Sequence, residues 1–280
     1  MKILFYIFGF PVHFLGLMIA IGMLAGLFIV SLEAKRKRLD FDKLFNIVII
    51  SIIAGIAGAR LFYILFYNLS YYLENPVEII KITEGGLSIH GGLATAFIVA
   101  FFYMRKHKLN FFQYADAMAP AIILGQAIGR IGCDVFGKIM TTPLFWGVQY
   151  QGQLVHPVQV YEFLLDYLVF LILWKKRKNL QYDGQVFVWY IALFSINRGI
   201  VELFRNNPII VGWFSVSHLL SVLFIIGAFA LMTFAKKRRN PNLVDNPADT
   251  RRDSLEWVRD IGITILLVVV SLVIFYTVQT

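Results

Sequence analysis

Apolar residues along this chain gather into eight long runs separated by short polar segments: Val12–Glu33, Leu44–Tyr67, Ser88–Met104, Tyr114–Ile131, Val158–Trp174, Gly184–Phe204, Phe214–Ala235 and Ile261–Val278. A helix that crosses a bilayer needs about 20 mostly apolar residues to traverse a core about 30 Å thick. The pattern therefore predicts an all-α polytopic membrane bundle of seven core transmembrane helices with an eighth at the C-terminus. The fourth run is the least regular, because it carries Asp116, Gln126 and Arg130. The eighth has 18 residues without a formal charge. Three regions follow: a core over 1–235, a basic cytoplasmic linker over 236–260, and an additional helix over 261–280. The stretch Asn240–Asp260, with Pro241 and Pro247, reads as flexible linker. No internal repeat suggests a transporter of inverted halves.

Composition agrees. Hydrophobic residues make up 59% of the 280 and charged ones 15%, against about 45–50% and about 25% in soluble chains. Mean hydropathy is +0.71. The net charge of +9 does not point to nucleic acid, because its distribution is that of membrane topology. Nineteen of the 26 Lys and Arg residues fall in alternate loops, at 35–43, 105–108, 175–178 and 236–259. The positive-inside rule makes those loops cytoplasmic and the N-terminus external. The outward loops are then 68–87, 132–157 and 205–213. The first run is too long for a signal-peptide core and lacks a small-x-small cleavage site. The single cysteine, Cys133, rules out an intramolecular disulfide.

Seven basic residues remain: Lys2, Arg60, Lys81, Arg130, Lys138, Arg198 and Arg205. Arg60, Arg130 and Arg198 sit inside apolar runs, where a charge is costly and by default marks function. The plain alternative is that each caps carbonyls within the bundle. All three fall toward the outer end of outward-running spans. Guanidinium forks match phosphate bidentately, so a phospholipid headgroup at the external leaflet is the natural ligand. Arg198, Glu202 and Arg205 follow at i, i+4 and i+7 and share a helix face.

The segment Glu84-Gly85-Gly86-Leu87-Ser88-Ile89-His90-Gly91-Gly92 opens span three. Its glycines permit close backbone approach to a ligand. His90 is suited to act as general base or as a phosphate donor. The run Gly125–Gly137 has small residues at helix-packing spacing, with Arg130 among them. Cys133 reads as a small packed residue. His156-Pro157-Val158-Gln159-Val160-Tyr161-Glu162 opens span five, and the i, i+4 pair Glu162 and Asp166 calls for an arginine partner. His218 reads as a polar tie between helices. No HExxH, cysteine cluster or Walker loop occurs, so neither metal nor cofactor is expected.

Over about residues 12–235 the chain resembles the prolipoprotein diacylglyceryl transferase family. The resemblance rests on Gly58-Ala59-Arg60 with Leu65-Phe66-Tyr67-Asn68, on Gly85–Gly92, on Gly129-Arg130-Ile131-Gly132, on His156–Glu162 and on Arg198–Arg205, in that order. It implies a seven-span fold in the bacterial cytoplasmic membrane. It implies transfer of diacylglyceryl from phosphatidylglycerol to the lipobox cysteine of prolipoproteins, with glycerol phosphate leaving. The family's essential histidine falls on His90, its lipid-binding arginine on Arg130, and its second essential arginine on Arg198 with a carboxylate on Glu202. Arg60, Gly91, Gly92, Gly129, Glu162 and Arg205 complete the expected substrate site. Three departures stand out: Cys133 where the family often has asparagine, Leu15 where a tyrosine often precedes Gly16, and a short loop at 138–156. The competing readings are an anionic-lipid transporter and a non-catalytic lipid-binding protein. Partners are thus membrane lipid and prolipoprotein, not nucleic acid.

Overall fold

The computed structural model describes residues 2–82, 85–237 and 253–279. Each expected run is helical: α1 (Phe14–Lys37), α2 (Phe41–Tyr67), α4 (Ile89–Lys106), α5 (Phe111–Ile131), α6 (Val158–Lys176), α7 (Gln185–Glu202), α8 (Val216–Lys237) and α9 (Asp253–Gln279). The short α3 (Leu69–Glu74) and a 3₁₀ turn at Pro76–Ile80 follow α2. Among the described residues, four segments are long and apolar enough to cross a membrane: Phe14–Lys37, Phe41–Tyr67, Val216–Lys237 and Glu256–Gln279. Their outward residues fit lipid: Leu24, Phe28, Phe229 and Leu266 are each more than 60% exposed. Soluble surfaces do not carry apolar area on that scale.

The fold is mostly but not wholly α-helical. Three antiparallel hairpins occur among the described residues: β1 (Ile3–Ile7) with β2 (Phe10–His13), β3 (Val148–Tyr150) with β4 (Gln153–Val155), and β5 (Ile209–Val211) with β6 (Phe214–Ser215). Each lies just before a long helix, α1, α6 or α8, and a hairpin lets that backbone satisfy its own donors and acceptors. Accordingly, the first helix starts at Phe14 rather than Val12, and the seventh starts at Val216, Phe214 belonging to β6. The last helix begins eight residues before Ile261, so 253–260 is helix where linker was expected. The remainder of that linker, from Arg238 to Arg252, lies outside the described residues.

The chain forms two compact units, Met1–Ile29 with Ala115–Thr280, and Val30–Tyr114. In the second, α2 and α4 pack backbone to backbone. A Cβ on Gly58 would lie 2.1 Å from Thr95 Oγ1, and one on Gly91 would lie 2.7 Å from the Gly58 carbonyl oxygen and 2.3 Å from Phe62 Cβ. Small residues at such a crossing permit close van der Waals packing in lipid. In the first unit, α1 and α5 meet the same way, with a Cβ on Gly22 falling 2.7 Å from the carbonyl oxygen of Gly125. Asp116, costly in an apolar helix, is accounted for. It is fully buried and accepts from the backbone N–H of Gly184 at 2.9 Å and of Phe187 at 3.0 Å, capping the start of α7. Gln126 accepts from the Tyr190 hydroxyl at 3.2 Å.

Candidate active site

Glu162, in the first turns of α6, holds three guanidinium groups. Arg198 Nη1 lies 2.6 Å and Arg205 Nη1 3.2 Å from its Oε1, and Arg130 Nε pairs with Oε2 at 2.7 Å. The sequence expectation that the carboxylates of span five pair with arginine is met at Glu162. Its i+4 neighbour Asp166 accepts instead from Asn197 Nδ2 at 3.3 Å. The Glu162 side chain is 8% exposed, whereas those of Arg130 and Arg198 are 28% and 25% exposed. The carboxylate is therefore the buried base of the cluster, and the guanidinium groups of α5 and α7 are its accessible face.

Glu202 pairs with Arg198, but at 3.6 Å. Its shorter bonds come from Asn207 Nδ2, at 2.8 Å to each oxygen, and from the Ser215 hydroxyl at 2.6 Å. Ser215 in turn touches His218 Nδ1 at 3.1 Å. Glu202 thus ties the loop after α7 to the start of α8, and orients Arg198 more loosely than the i, i+4 spacing suggested. His218 ties to a residue of its own segment's entry, not directly across helices. Nothing in the sequence motifs marked Asn207 or Ser215, since neither is charged nor set among glycines.

Backbone stitching holds the three helix ends together. Gly137 N–H donates to the His156 carbonyl at 2.9 Å, His156 N–H to that of Lys138 at 3.0 Å, and Lys138 N–H to that of Phe204 at 2.8 Å. A Cβ on Gly137 would sit 2.4 Å from the Phe204 carbonyl oxygen, so only glycine fits there. Gln159, 1% exposed, donates to the Cys133 carbonyl at 3.1 Å. Tyr161 receives Trp146 Nε1–H at 3.0 Å and meets His156 Nδ1 at 3.0 Å. The polar residues of the His156–Glu162 motif each have a place in fixing Glu162. Cys133 packs beside the cluster, with Arg130 Nη1 3.9 Å from its sulfur. Burial pushes the thiol above its ordinary value against the pull of Arg130, which is not the setting of a nucleophile.

The other unit holds Arg60 and His90. Arg60 is 6% exposed, and its guanidinium is spent on backbone: Nε donates to the Ile79 carbonyl at 3.0 Å, Nη1 to Gly85 at 2.7 Å and Gly86 at 3.0 Å, and Nη2 to Glu78 and to Lys81 at 3.3 Å. Five acceptors meet the five N–H donors a guanidinium possesses. Arg60, expected among the substrate ligands, is placed as a carbonyl cap, the plain alternative raised for intramembrane arginines. Gly85 and Gly86 have φ of +96° and +72°, a left-handed backbone that turns their carbonyls onto it. Gly91 and Gly92, expected beside a ligand, instead face α2, where a Cβ on Gly92 would lie 3.1 Å from the Gly55 carbonyl oxygen. Gly129 differs: a Cβ there would meet only Ile19, at 3.8 Å, so packing does not demand glycine. His90 is exposed at the second position of α4. Among the described residues, no group of three His, Cys, Asp or Glu side chains is arranged to hold a metal.

Known proteins match most of the chain. The family model described as prolipoprotein diacylglyceryl transferase matches residues 2–234. The phosphatidylglycerol–prolipoprotein diacylglyceryl transferase of Clostridioides difficile strain 630 is 35% identical over 244 residues, covering 86% of this chain and 98% of that relative. The protein of the same name from Finegoldia magna is 35% identical over 242 residues, covering 85% and 96%. That of Clostridium botulinum strain Langeland is 32% identical over 250 residues, covering 85% and 98%. With the match running through both arginine-bearing helices of the Glu162 cluster, the chain belongs to the prolipoprotein diacylglyceryl transferase family.

Proposed function

We infer that this protein transfers the diacylglyceryl group of phosphatidylglycerol to prolipoproteins, and that the Glu162 cluster holds the lipid phosphate. The observation that carries the site is charge. Three guanidinium groups, Arg130, Arg198 and Arg205, stand against the two carboxylates Glu162 and Glu202. One positive charge is left over, on the accessible side. A phosphodiester carries one negative charge and offers oxygens that match guanidinium forks.

The acceptor is the lipobox cysteine of the prolipoprotein. Its thiolate attacks the terminal glyceryl carbon of the diacylglycerol portion. The sulfur–carbon bond forms as the carbon–oxygen bond to phosphate breaks, and glycerol phosphate departs with the electron pair. Arg130 and Arg198 stabilise the charge gathering on that leaving group. An unperturbed thiol has a pKa of about 8.5 and is mostly protonated at pH 7, and we assign its proton to His90. Gly129, where packing leaves room, borders the lipid. The topology we propose has seven core spans and an eighth, an external N-terminus, and the basic loops in the cytoplasm. The cluster then faces the outer leaflet of the bacterial cytoplasmic membrane, where exported substrates arrive.

The test is a transfer assay with purified protein, phosphatidylglycerol and a lipobox peptide bearing one cysteine, read by mass spectrometry. The peptide gains one diacylglyceryl mass, and the gain vanishes when its cysteine becomes serine. An unmodified peptide in the presence of bound lipid would instead favour a transporter or a lipid-binding protein.

A further inference from the structure

The family match ends at residue 234, and α9 lies beyond it. An added membrane anchor needs only an apolar surface. This helix has more: Asp260, Thr264, Ser271, Phe275 and Gln279 recur at intervals of four, seven, four and four residues and form one stripe. The stripe runs antiparallel along α6. Trp174 Nε1 donates to Asp260 at 3.1 Å, the Tyr167 and Ser271 hydroxyls lie 2.8 Å apart, and the rings of Phe163 and Phe275 pack at 6.4 Å. Ser271 is 2% and Phe275 0% exposed.

The C-terminal end of α9 reaches the segments that carry the arginine cluster by two routes. Gln279 Nε2 donates to Asp134 Oδ1 at 2.9 Å and to the Cys133 carbonyl at 3.5 Å. That carbonyl also receives Gln159, so it joins the residues just after Arg130 to the turn just before Glu162. Separately, the Tyr276 hydroxyl donates to the Trp146 carbonyl at 2.7 Å, and Trp146 Nε1 donates to Tyr161, the neighbour of Glu162. The Lys2 ammonium caps the Val278 carbonyl at the helix end, where a cation is favoured.

We propose that α9 is a positioning element of the headgroup site, with Gln279 and Tyr276 as its positioning residues. They hold the corner after Arg130 and the start of α6 so that Arg130 and Glu162 keep the spacing a phosphodiester needs. The proposal rests on reading the Glu162 cluster as that site.

The test uses the full chain with Gln279→Leu, Tyr276→Phe and the double variant. Ser271→Ala, on the same face but at mid-helix, is the control. Phosphatidylglycerol dissociation constants, KM and kcat for transfer, and melting temperatures are measured together. Each positioning variant raises the dissociation constant and KM for phosphatidylglycerol by roughly three- to tenfold, about the worth of one hydrogen bond. The double variant raises them further, and Ser271→Ala changes only the melting temperature. Equal losses of melting temperature in all variants with unchanged affinity would overturn the proposal and leave α9 as structural support. A wild-type protein that binds phosphatidylglycerol without modifying peptide would refute the transferase reading while the affinities still decide the role of α9. A wild type that binds no phosphatidylglycerol would overturn both.

Discussion

Arg60 and Arg130 are both arginines set in apolar helices beside glycines, and they end in opposite states. Arg60 is 6% exposed with five backbone carbonyls around its guanidinium. Arg130 has a side chain 28% exposed and pairs with Glu162, which also serves Arg198 and Arg205. The cost of setting a charge in an apolar helix is met by full donor satisfaction in the first case and by a shared carboxylate in the second. A saturated guanidinium is a scaffold, whereas one that shares its counter-ion retains capacity for a ligand. The count of acceptors separates the two.

Substitutions should divide along that line. Arg130→Ala gives the largest effect, a fall in kcat/KM for transfer of about 100-fold or more. The protein stays folded, because Glu162 keeps Arg198 and Arg205, and circular dichroism in detergent checks this. Glu162→Gln comes next. It leaves three guanidinium groups without their common anion, lowering stability by about 3 kcal/mol, the scale for breaking a buried pair, and transfer with it. Arg60→Ala inverts the pattern. Five carbonyls lose their donor, and stability falls by about 2–3 kcal/mol, while phosphatidylglycerol affinity of the folded protein is nearly unchanged. Gly58→Ala, with Thr95 in the way, costs about 1–3 kcal/mol, read as a lower melting temperature.

The smallest effect is one of pH. Burial and the Lys138 ammonium hold the His156 imidazole below its ordinary value. The folded state therefore binds this proton less readily than the unfolded chain. The stability from neutral His156 is full above the ordinary value of about 6.5 and declines as pH falls through it toward the lower folded value. His156→Gln should flatten that decline in melting temperature between about pH 7 and pH 5.

The helices were legible because a 20-residue apolar run has few alternatives in lipid. The hairpins were not, since strands of two to five residues leave little period to read. Glu162, Arg198 and Arg205 could be chosen from their cost and spacing, and they do converge. Arg60 could not be separated from them, because its acceptors are carbonyls, which every residue carries. Gly91 and Gly92 were drawn toward a ligand by the adjacent His90, yet they face Gly58 and Gly55, 33 and 37 residues earlier. The polar stripe of α9 was not legible, because Asp260 and Gln279 lie just outside the apolar run and Thr264 and Ser271 are uncharged within it; they gain meaning only from what they face.

Native mass spectrometry of phosphatidylglycerol bound to the wild type, Arg130→Ala and Arg60→Ala proteins, each at a temperature where it is folded, tests the central distinction most directly. Lipid lost from Arg130→Ala and kept by Arg60→Ala is the result expected. Lipid kept by Arg130→Ala and lost from Arg60→Ala would contradict the assignment of the Glu162 cluster as the phosphate site.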